Sequence, residues 1–201
     1  ERLGTGRILT MDLHNDAIGG FFRRTIVDNL YGRHVFVPRF KEFFKDALAT
    51  DDLVVVSPDA GGVVRAQSYG KRLMKNGELA IIHKEREIPN EVARMKLIGD
   101  VKGKVALITD DMADTCGTLA RAARLLVDNG AREVYAMATH GILSGTSKET
   151  LEQSSIKRLF ITDTISDDRP LGEKVEVVSV GDLFGDAIQR IEEGESLSAL
   201  F

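Results

Sequence analysis

The chain has 201 residues, enough to bury a hydrophobic core without disulfides or bound metals. Its composition is 43% hydrophobic and 29% charged, and no apolar run is long enough for a membrane helix. We therefore expect a globular protein without a membrane partner. The formal net charge of −4 argues against binding to nucleic acid through bulk attraction, so an anionic ligand needs a focused site.

Two features of the sequence bear on its cellular setting and its extent. The one cysteine, Cys116, excludes an intramolecular disulfide and cysteine-rich zinc sites, which predicts a reducing, cytoplasmic location. The first residue is Glu1, and a predicted strand begins already at Arg7. We therefore expect the chain to be the later part of a longer protein.

Short β-branched runs alternate with helical patterns, which predicts an α/β fold with a mostly parallel sheet flanked by helices. The predicted strands are Arg7–Thr10, Leu53–Val56, Leu79–Ile82, Val105–Thr109, Glu133–Met137, Leu159–Thr162 and Val175–Val178. The predicted helices are Val37–Ala49, Gly62–Met74, Thr118–Asn129 and Asp182–Glu193. The segment Leu79–Gly99 is mostly polar and is interrupted by Pro89, which predicts a mobile loop rich in cations.

The most informative segment is Val105–Thr118, where an apolar strand runs into two acids, a turn of small residues and the start of a helix. Backbone N–H groups and the helix dipole converge at such a turn, which predicts a phosphate site. The residues expected to bind there are Asp114, Thr115, Cys116, Gly117 and Thr118. Asp110 and Asp111, at the carboxyl end of the strand, are placed to accept hydrogen bonds from sugar hydroxyls. The alternative is an ordinary helix start with solvated acids.

A second candidate loop follows the strand that begins at Leu53. Its residues after Ser57 and Pro58 are Asp59, Ala60, Gly61 and Gly62. This pattern predicts a tight backbone concavity beside one carboxylate, suited to a diphosphate that carries Mg²⁺. The alternative is a plain turn between strand and helix.

Two further pairs of residues are candidates for chemistry. Lys84 and Arg86 are two residues apart in the predicted loop, so both can reach the same side of a ligand. There they would neutralise the charge that develops on a transferring phosphoryl group. The alternative is that they are exposed, solvated cations. Asp12 and His14 alternate on an extended segment and should face the same way. His14 is then a metal ligand or phosphate contact, or a structural histidine.

These segments together resemble the ribose-phosphate diphosphokinase family, and the phosphate loop alone also resembles that of type I phosphoribosyltransferases. The likeness extends over essentially the whole chain in the family's order. It rests on Met11–His14, Gly20–Phe22, Ser57–Gly62, Ile81–Arg86, Asp110–Thr118, Thr139–Gly145 and Gly194–Phe201.

The resemblance implies a type I phosphoribosyltransferase-like fold and Mg²⁺-dependent transfer of the diphosphoryl group of ATP to the 1-hydroxyl of ribose 5-phosphate. Lys84 and Arg86 would be catalytic, and Asp12, His14 and Asp59 would organise the metal. It also implies a homo-oligomer, from dimer to hexamer. The domains would be the tail of an N-terminal α/β domain, the phosphoribosyltransferase-like domain, and a C-terminal helix and tail, at residues 1–49, 50–180 and 181–201.

Departures from the family pattern mark a divergent member. Ala17 and Gly19 stand where the family usually has glutamines, and Glu85 stands where it commonly has arginine. The front of the family's chain, with part of the adenine site, is not matched. We expect the phenylalanines near the start to pack against that portion: Phe21, Phe22, Phe36, Phe40, Phe43 and Phe44.

Two alternatives stay open. A phosphoribosyltransferase that consumes the diphosphorylated sugar shares the phosphate loop, but it has no need of the segment with Asp12 and His14, nor of the Ser57–Gly62 loop in this form. A non-catalytic regulatory subunit would keep the fold and assemble with active copies. The substitutions at Ala17, Gly19 and Glu85 are compatible with such a subunit.

Overall fold

The computed structural model describes residues 1–85, 94–165 and 171–201. In this part of the chain the strands are β1 (Arg7–Met11), β2 (Ile26–Leu30), β3 (Leu53–Ser57), β4 (Leu79–Glu85), β5 (Arg94–Ile98), β6 (Val105–Ala113), β7 (Glu133–Gly141), β8 (Ile156–Thr162) and β9 (Val175–Val178). The α-helices are α1 (Arg33–Phe43), α2 (Lys45–Ala49), α3 (Val63–Leu73), α4 (Gly117–Asp128), α5 (Ser147–Gln153) and α6 (Gly181–Glu193). No helix among these residues has the length and apolar character needed to cross a membrane.

The main sheet has the strand order β5-β4-β3-β6-β7-β8-β9, and its strands are parallel except for the antiparallel pair β4 and β5. This confirms the predicted α/β class. The chain proceeds outward from β3 on one side and from β6 on the other, so the strand order reverses between these two strands. Open α/β sheets bind ligands outside the carboxyl ends of their strands at such a point, which is where both predicted phosphate loops begin.

Helices cover both faces of the main sheet. Strand β3 is buried along its whole length, as expected for a parallel strand covered on both sides. On one face, Phe40 of α1 and Tyr69 of α3 belong to the same buried cluster as Val55 of β3. On the other face, Leu119 and Leu126 of α4 are buried in a second cluster.

The smaller sheet pairs β1 with β2 in parallel and is covered by the end of the chain. A third apolar cluster joins it to α6 and the final residues: Met11, Leu30, Val180, Ala187, Leu197 and Leu200. Apolar contacts therefore cross the predicted boundaries after residues 49 and 180. The three-part division of the chain stays a prediction.

All seven predicted strands are present, whereas several other elements differ from expectation. Strand β2 and helix α5 were not predicted. The single helix predicted over Val37–Ala49 begins earlier, at Arg33, and forms two helices, because the backbone leaves the helical region at Phe44 (φ −99°, ψ 20°).

The prediction of a loop after the predicted strand Leu79–Ile82 is wrong for residues 83–85 and 94–98. Residues 79–85 and 94–98 are strands, paired with His83 opposite Lys96. Strand β5 lies at the edge of the sheet, with Met95 and Leu97 packed against the core and Lys96 exposed. Charged residues are common on edge strands because they discourage pairing with other chains. The charged residues of β5 made this segment look like a loop in the sequence.

The expectation that the phenylalanines pack against another portion of the protein is wrong for α1 and the residue that follows it. Phe36, Phe40 and Phe44 are buried within this chain. The ring centroids of Phe40 and Phe160 of β8 are 5.1 Å apart. Phe21 differs, because 84% of its surface is exposed.

Candidate functional site

A cavity of about 270 Å³ lies at the carboxyl ends of β3 and β6. Its lining residues are His14, Asp59, Asp110, Asp111, Met112, Ala113, Asp114, Thr115, Cys116, Gly117, Thr118 and Leu119. The cavity therefore brings together all seven residues predicted to bind ribose 5-phosphate with two of the three predicted metal residues. We refer to it as the ribose cavity, after the ligand that the sequence predicts for it.

The phosphate loop joins β6 to α4 at one end of the ribose cavity. Cys116, just before the helix, has a left-handed backbone (φ 61°, ψ 0°), and its own side chain does not cap the helix start. The first N–H groups of an α-helix have no partner within the helix, so this end is suited to an anion. The left-handed residue of this loop is therefore Cys116, directly before Gly117.

Two neighbouring interactions hold this loop in place. The Ser144 hydroxyl donates a hydrogen bond to Asp114 Oδ1, and Leu143 N–H donates to Ala113 O at 3.0 Å.

Burial raises the pKa of the Cys116 thiol to about 11, with a smaller contribution from Asp114. This shift favours the neutral thiol at physiological pH.

Asp110 and Asp111 lie within β6 and form a tightly coupled acid pair. The N–H of Asp111 donates to Asp110 Oδ1 at 2.9 Å. Burial, with a smaller contribution from the hydrogen-bonded Asp111 carboxylate, raises the pKa of Asp110 to about 7. Burial also opposes ionisation of Asp111, but hydrogen bonds from Asp110 and His14 and the charge of Arg65 leave the pKa of Asp111 lowered. Near neutral pH the pair therefore holds between one and two negative charges.

His14 is bound to this pair. Its Nδ1 is 2.6 Å from Asp111 Oδ2, while 73% of the His14 side chain is exposed. Because an ionised carboxylate can only accept a hydrogen bond, Nδ1 is the donor in this contact, and Nε2 is the ring nitrogen that remains for a ligand. His14 thus presents a potential ligand atom beside the ribose cavity.

Asp12, unlike His14, is not among the residues that line the ribose cavity. Its backbone is not extended as predicted but left-handed (φ 40°), so the expected alternation with His14 is wrong. Its Oδ2 accepts hydrogen bonds from Gly32 N–H at 2.9 Å and from Thr139 Oγ1 at 2.6 Å. Asp12 lines a neighbouring cavity of about 330 Å³ that also touches His14. Metal binding by Asp12 stays a prediction.

The second loop, Asp59–Gly62, forms a compact turn on the other side of the ribose cavity. Asp59 Oδ1 accepts a hydrogen bond from Gly62 N–H at 3.0 Å, and Ser57 Oγ donates to Asp59 O at 2.6 Å. A Cβ at Gly62 would lie 2.8 Å from Ser57 Oγ, so the turn needs glycine there. Ala60 and Gly61 are exposed, and Gly61 lines the neighbouring cavity.

The two predicted catalytic cations are not placed in the site by the described residues. Lys84 lies in β4, and Arg86 lies outside the described residues. Two residues that touch the site were missed: Ser144 and Arg65. Ser144 belongs to a segment that carried the family likeness, whereas nothing in the sequence pattern distinguished Arg65 from other helix cations.

The fold and site define a parallel α/β protein with an acidic cavity beside an open helix N-terminus. The chain belongs to the phosphoribosyl synthetase-associated domain family, whose model matches residues 86–201. This confirms the family resemblance inferred from the sequence.

Individual relatives agree with the family match. The chain is 46% identical to ribose-phosphate pyrophosphokinase 2 of Schizosaccharomyces pombe, over 100% of this chain and 62% of that protein. It is 49% identical to ribose-phosphate pyrophosphokinase of Caldanaerobacter subterraneus, over 98% and 61%. The crystal structure of phosphoribosylpyrophosphate synthetase from Mycobacterium smegmatis matches with a TM-score of 0.85 and 35% identity, over 96% of this chain and 61% of that one. The chain thus spans about three fifths of the length of these relatives.

Proposed function

We propose that this chain carries the ribose 5-phosphate and diphosphate sites of a ribose-phosphate diphosphokinase. The reaction transfers the β,γ-diphosphoryl group of ATP to the 1-hydroxyl of ribose 5-phosphate. The observation that carries the proposal is the ribose cavity, where an open helix N-terminus, two coupled acids and the Asp59 loop meet. The relatives that are 46% and 49% identical to this chain are named for the same reaction.

The phosphate loop is proposed to bind the 5-phosphate of the sugar. Thr115 and Thr118 line the ribose cavity, where their hydroxyls donate to phosphate oxygens beside the first N–H groups of α4. Asp110 and Asp111 lie further along the same cavity and accept hydrogen bonds from ribose hydroxyls. This arrangement fixes the distance between the phosphate and the reacting end of the sugar.

We further propose that Mg²⁺ acts with His14 and the Asp59 loop. Among the described residues, no group of three or more His, Cys, Asp or Glu side chains is arranged to hold a metal ion alone. This fits Mg²⁺, which is usually held by one or two carboxylates together with substrate phosphates. When bound, the ion neutralises phosphate charge. Asp59 supplies a carboxylate to it, and Gly61 and Gly62 let the diphosphate approach the backbone.

The chemical step needs positioning and charge stabilisation, and no covalent intermediate on the protein. The sugar 1-hydroxyl oxygen bonds to the β-phosphorus of ATP, the bond from that phosphorus to the α,β-bridging oxygen breaks, and AMP departs. The hydroxyl proton is lost to water. Lys84 and Arg86 are proposed to stabilise the charge on the transferred group.

The wider setting is also proposed from the sequence and the family. A homo-oligomer is expected, with ATP and ribose 5-phosphate as partners. The buried, unpaired thiol of Cys116 is compatible with a reducing, cytoplasmic location.

A regulatory subunit is the second candidate function. Ala17 and Gly19 replace the glutamines usual in the family, and they lie in a short 3₁₀-helix next to His14. Loss of those amides would weaken the nucleotide side of the site and leave the ribose cavity intact.

An AMP-release assay with ATP, Mg²⁺ and ribose 5-phosphate tests the proposal, with the Caldanaerobacter relative as positive control. AMP that appears only when ribose 5-phosphate is present supports the diphosphokinase. If ribose 5-phosphate binds without AMP formation, and the chain alters the rate of the relative when added to it, the regulatory subunit is supported. Absence of ribose 5-phosphate binding contradicts both candidates.

A further inference from the structure

Arg65 connects the diphosphate loop to the acid pair. It lies in the first turn of α3, three residues after Gly62. Its Nη2 is 3.6 Å from Asp111 Oδ2, and its Nη1 is 3.8 Å from Asp110 Oδ1. These distances are too long for hydrogen bonds, but they are within the range of an ion pair.

The ion pair lies in a largely desolvated place. The exposed fractions of the side chains are 22% for Arg65, 22% for Asp110 and 6% for Asp111. Electrostatic attraction is screened less here than at an open surface. One guanidinium facing two adjacent carboxylates therefore has a strong influence on where those carboxylates lie.

Arg65 approaches the acids from behind. It lines the neighbouring cavity together with His14 and Tyr69, and it is absent from the lining of the ribose cavity. The carboxylates of Asp110 and Asp111 line the ribose cavity, whereas the guanidinium borders the neighbouring cavity. An effect of Arg65 on a ligand in the ribose cavity would therefore pass through the two carboxylates.

Two groups converge on one oxygen of the pair, since Asp111 Oδ2 also receives Nδ1 of His14 at 2.6 Å. Arg65 and His14 thus hold Asp111 from two different elements, and Arg65 extends the constraint to Asp110. Removal of the guanidinium would leave the partly exposed Asp110 and the buried Asp111 with less compensating charge, and their orientation would be less constrained.

We propose that Arg65 is a positioning residue for sugar recognition. It orients the carboxylates of Asp110 and Asp111 so that both accept hydroxyls of a pentose 5-phosphate. This inference rests on the proposed function, and it adds a determinant of specificity for the pentose over its deoxy analogue.

The test is calorimetric binding of three probes to wild type, Arg65→Gln and Arg65→Lys: ribose 5-phosphate, 2-deoxyribose 5-phosphate and inorganic phosphate. Wild type should prefer ribose 5-phosphate over the deoxy sugar about tenfold, the effect of one hydrogen bond to a charged group. Arg65→Gln should weaken ribose 5-phosphate binding about 10- to 100-fold, as when a residue that orients a ligating group is lost. The preference over the deoxy sugar should largely vanish, while inorganic phosphate binds as before.

Arg65→Lys keeps the charge without the planar fork, so it should restore part of the preference. It also serves as the informative variant if Arg65→Gln does not fold. Arg72→Gln is the matched control, because it removes an exposed guanidinium from the same helix. Among the described residues, the hydrogen bonds of this guanidinium go only to Ser68, one turn away. It should leave all three affinities unchanged.

The outcomes separate the inference from the proposed function. If wild type binds ribose 5-phosphate with preference and Arg65→Gln keeps that preference, the positioning role is wrong and the proposed function stands. A parallel loss of inorganic phosphate binding would mean that Arg65 contacts the phosphate, which also overturns the role. If wild type does not bind ribose 5-phosphate, the proposed function fails first.

Discussion

Replacement of Phe40 by alanine tests whether the segment before β3 is part of the main core. Phe40 has no exposed surface, and its ring centroid lies 5.4 Å from Phe36, 5.7 Å from Phe44 and 5.1 Å from Phe160. Three of these rings lie in or next to α1, and the fourth lies in β8. The substitution removes the ring that links the helix to the sheet.

The expected loss of stability is large. Truncation of a buried phenylalanine to alanine costs about 3–5 kcal/mol, because apolar burial is lost and a cavity is left. Aromatic pairs contribute about 0.5–1.5 kcal/mol beyond burial, so we expect Phe40→Ala to lie in the upper part of the range for such truncations, at about 4–5 kcal/mol. For a protein of this size that corresponds to a fall in Tm of about 8–20 °C.

Urea denaturation followed by circular dichroism measures this loss, with Phe21→Ala as the control. Phe21 is 84% exposed, so its replacement should change the free energy of unfolding by less than about 0.5 kcal/mol. A loss below about 1 kcal/mol for Phe40→Ala would refute the argument that α1 is anchored in the main core.

Three further changes have defined outcomes. Lys174 Nζ donates hydrogen bonds to three backbone carbonyls at the end of α5, at 2.9 to 3.1 Å. Lys174→Met should therefore lower the free energy of unfolding, measured by urea titration, by about 1 kcal/mol. No change would show that this cap is dispensable. A Cβ at Gly141 would lie 2.5 Å from Cδ1 of Ile161, so Gly141→Ala should cost about 1–3 kcal/mol, and Gly141→Ala with Ile161→Val should recover part of it; a neutral single variant would contradict this packing. The pKa of Asp110 is raised to about 7, so between pH 4 and 7 the folded protein holds a proton that the unfolded chain has lost, and stability should fall as pH rises through this range. Asp110→Asn should flatten that slope in thermal melts, whereas an unaltered slope would assign it to other groups.

The parts of the fold that were predicted share a strong local signal. Strands β3 and β6 are apolar runs because both their faces are buried, and the phosphate loop stands out because acids, small residues and a helix start follow one another. Such features depend on neighbours in sequence. The likeness to a known family then supplied roles for residues whose local pattern was ambiguous.

The parts that were missed depend on contacts between distant segments. Asp12 accepts one hydrogen bond from Thr139, which is 127 positions away, and another from Gly32. These two bonds hold Asp12 in a left-handed backbone conformation that its neighbours in sequence did not indicate. Arg65 meets Asp110 and Asp111 only because β3 and β6 are neighbours in the sheet. The spacing of residues along the sequence does not indicate which distant residues come into contact.

The central claim is that the ribose cavity binds ribose 5-phosphate through the loop that begins α4. Its most direct test is calorimetric titration of ribose 5-phosphate into wild type and Thr118→Val, with Thr5→Val, which removes an exposed hydroxyl that does not line the cavity, as control. The account predicts binding to wild type and to Thr5→Val with equal affinity, and about tenfold weaker binding to Thr118→Val, because one hydrogen bond to a charged phosphate is lost. Equal affinity for Thr118→Val and wild type would contradict it.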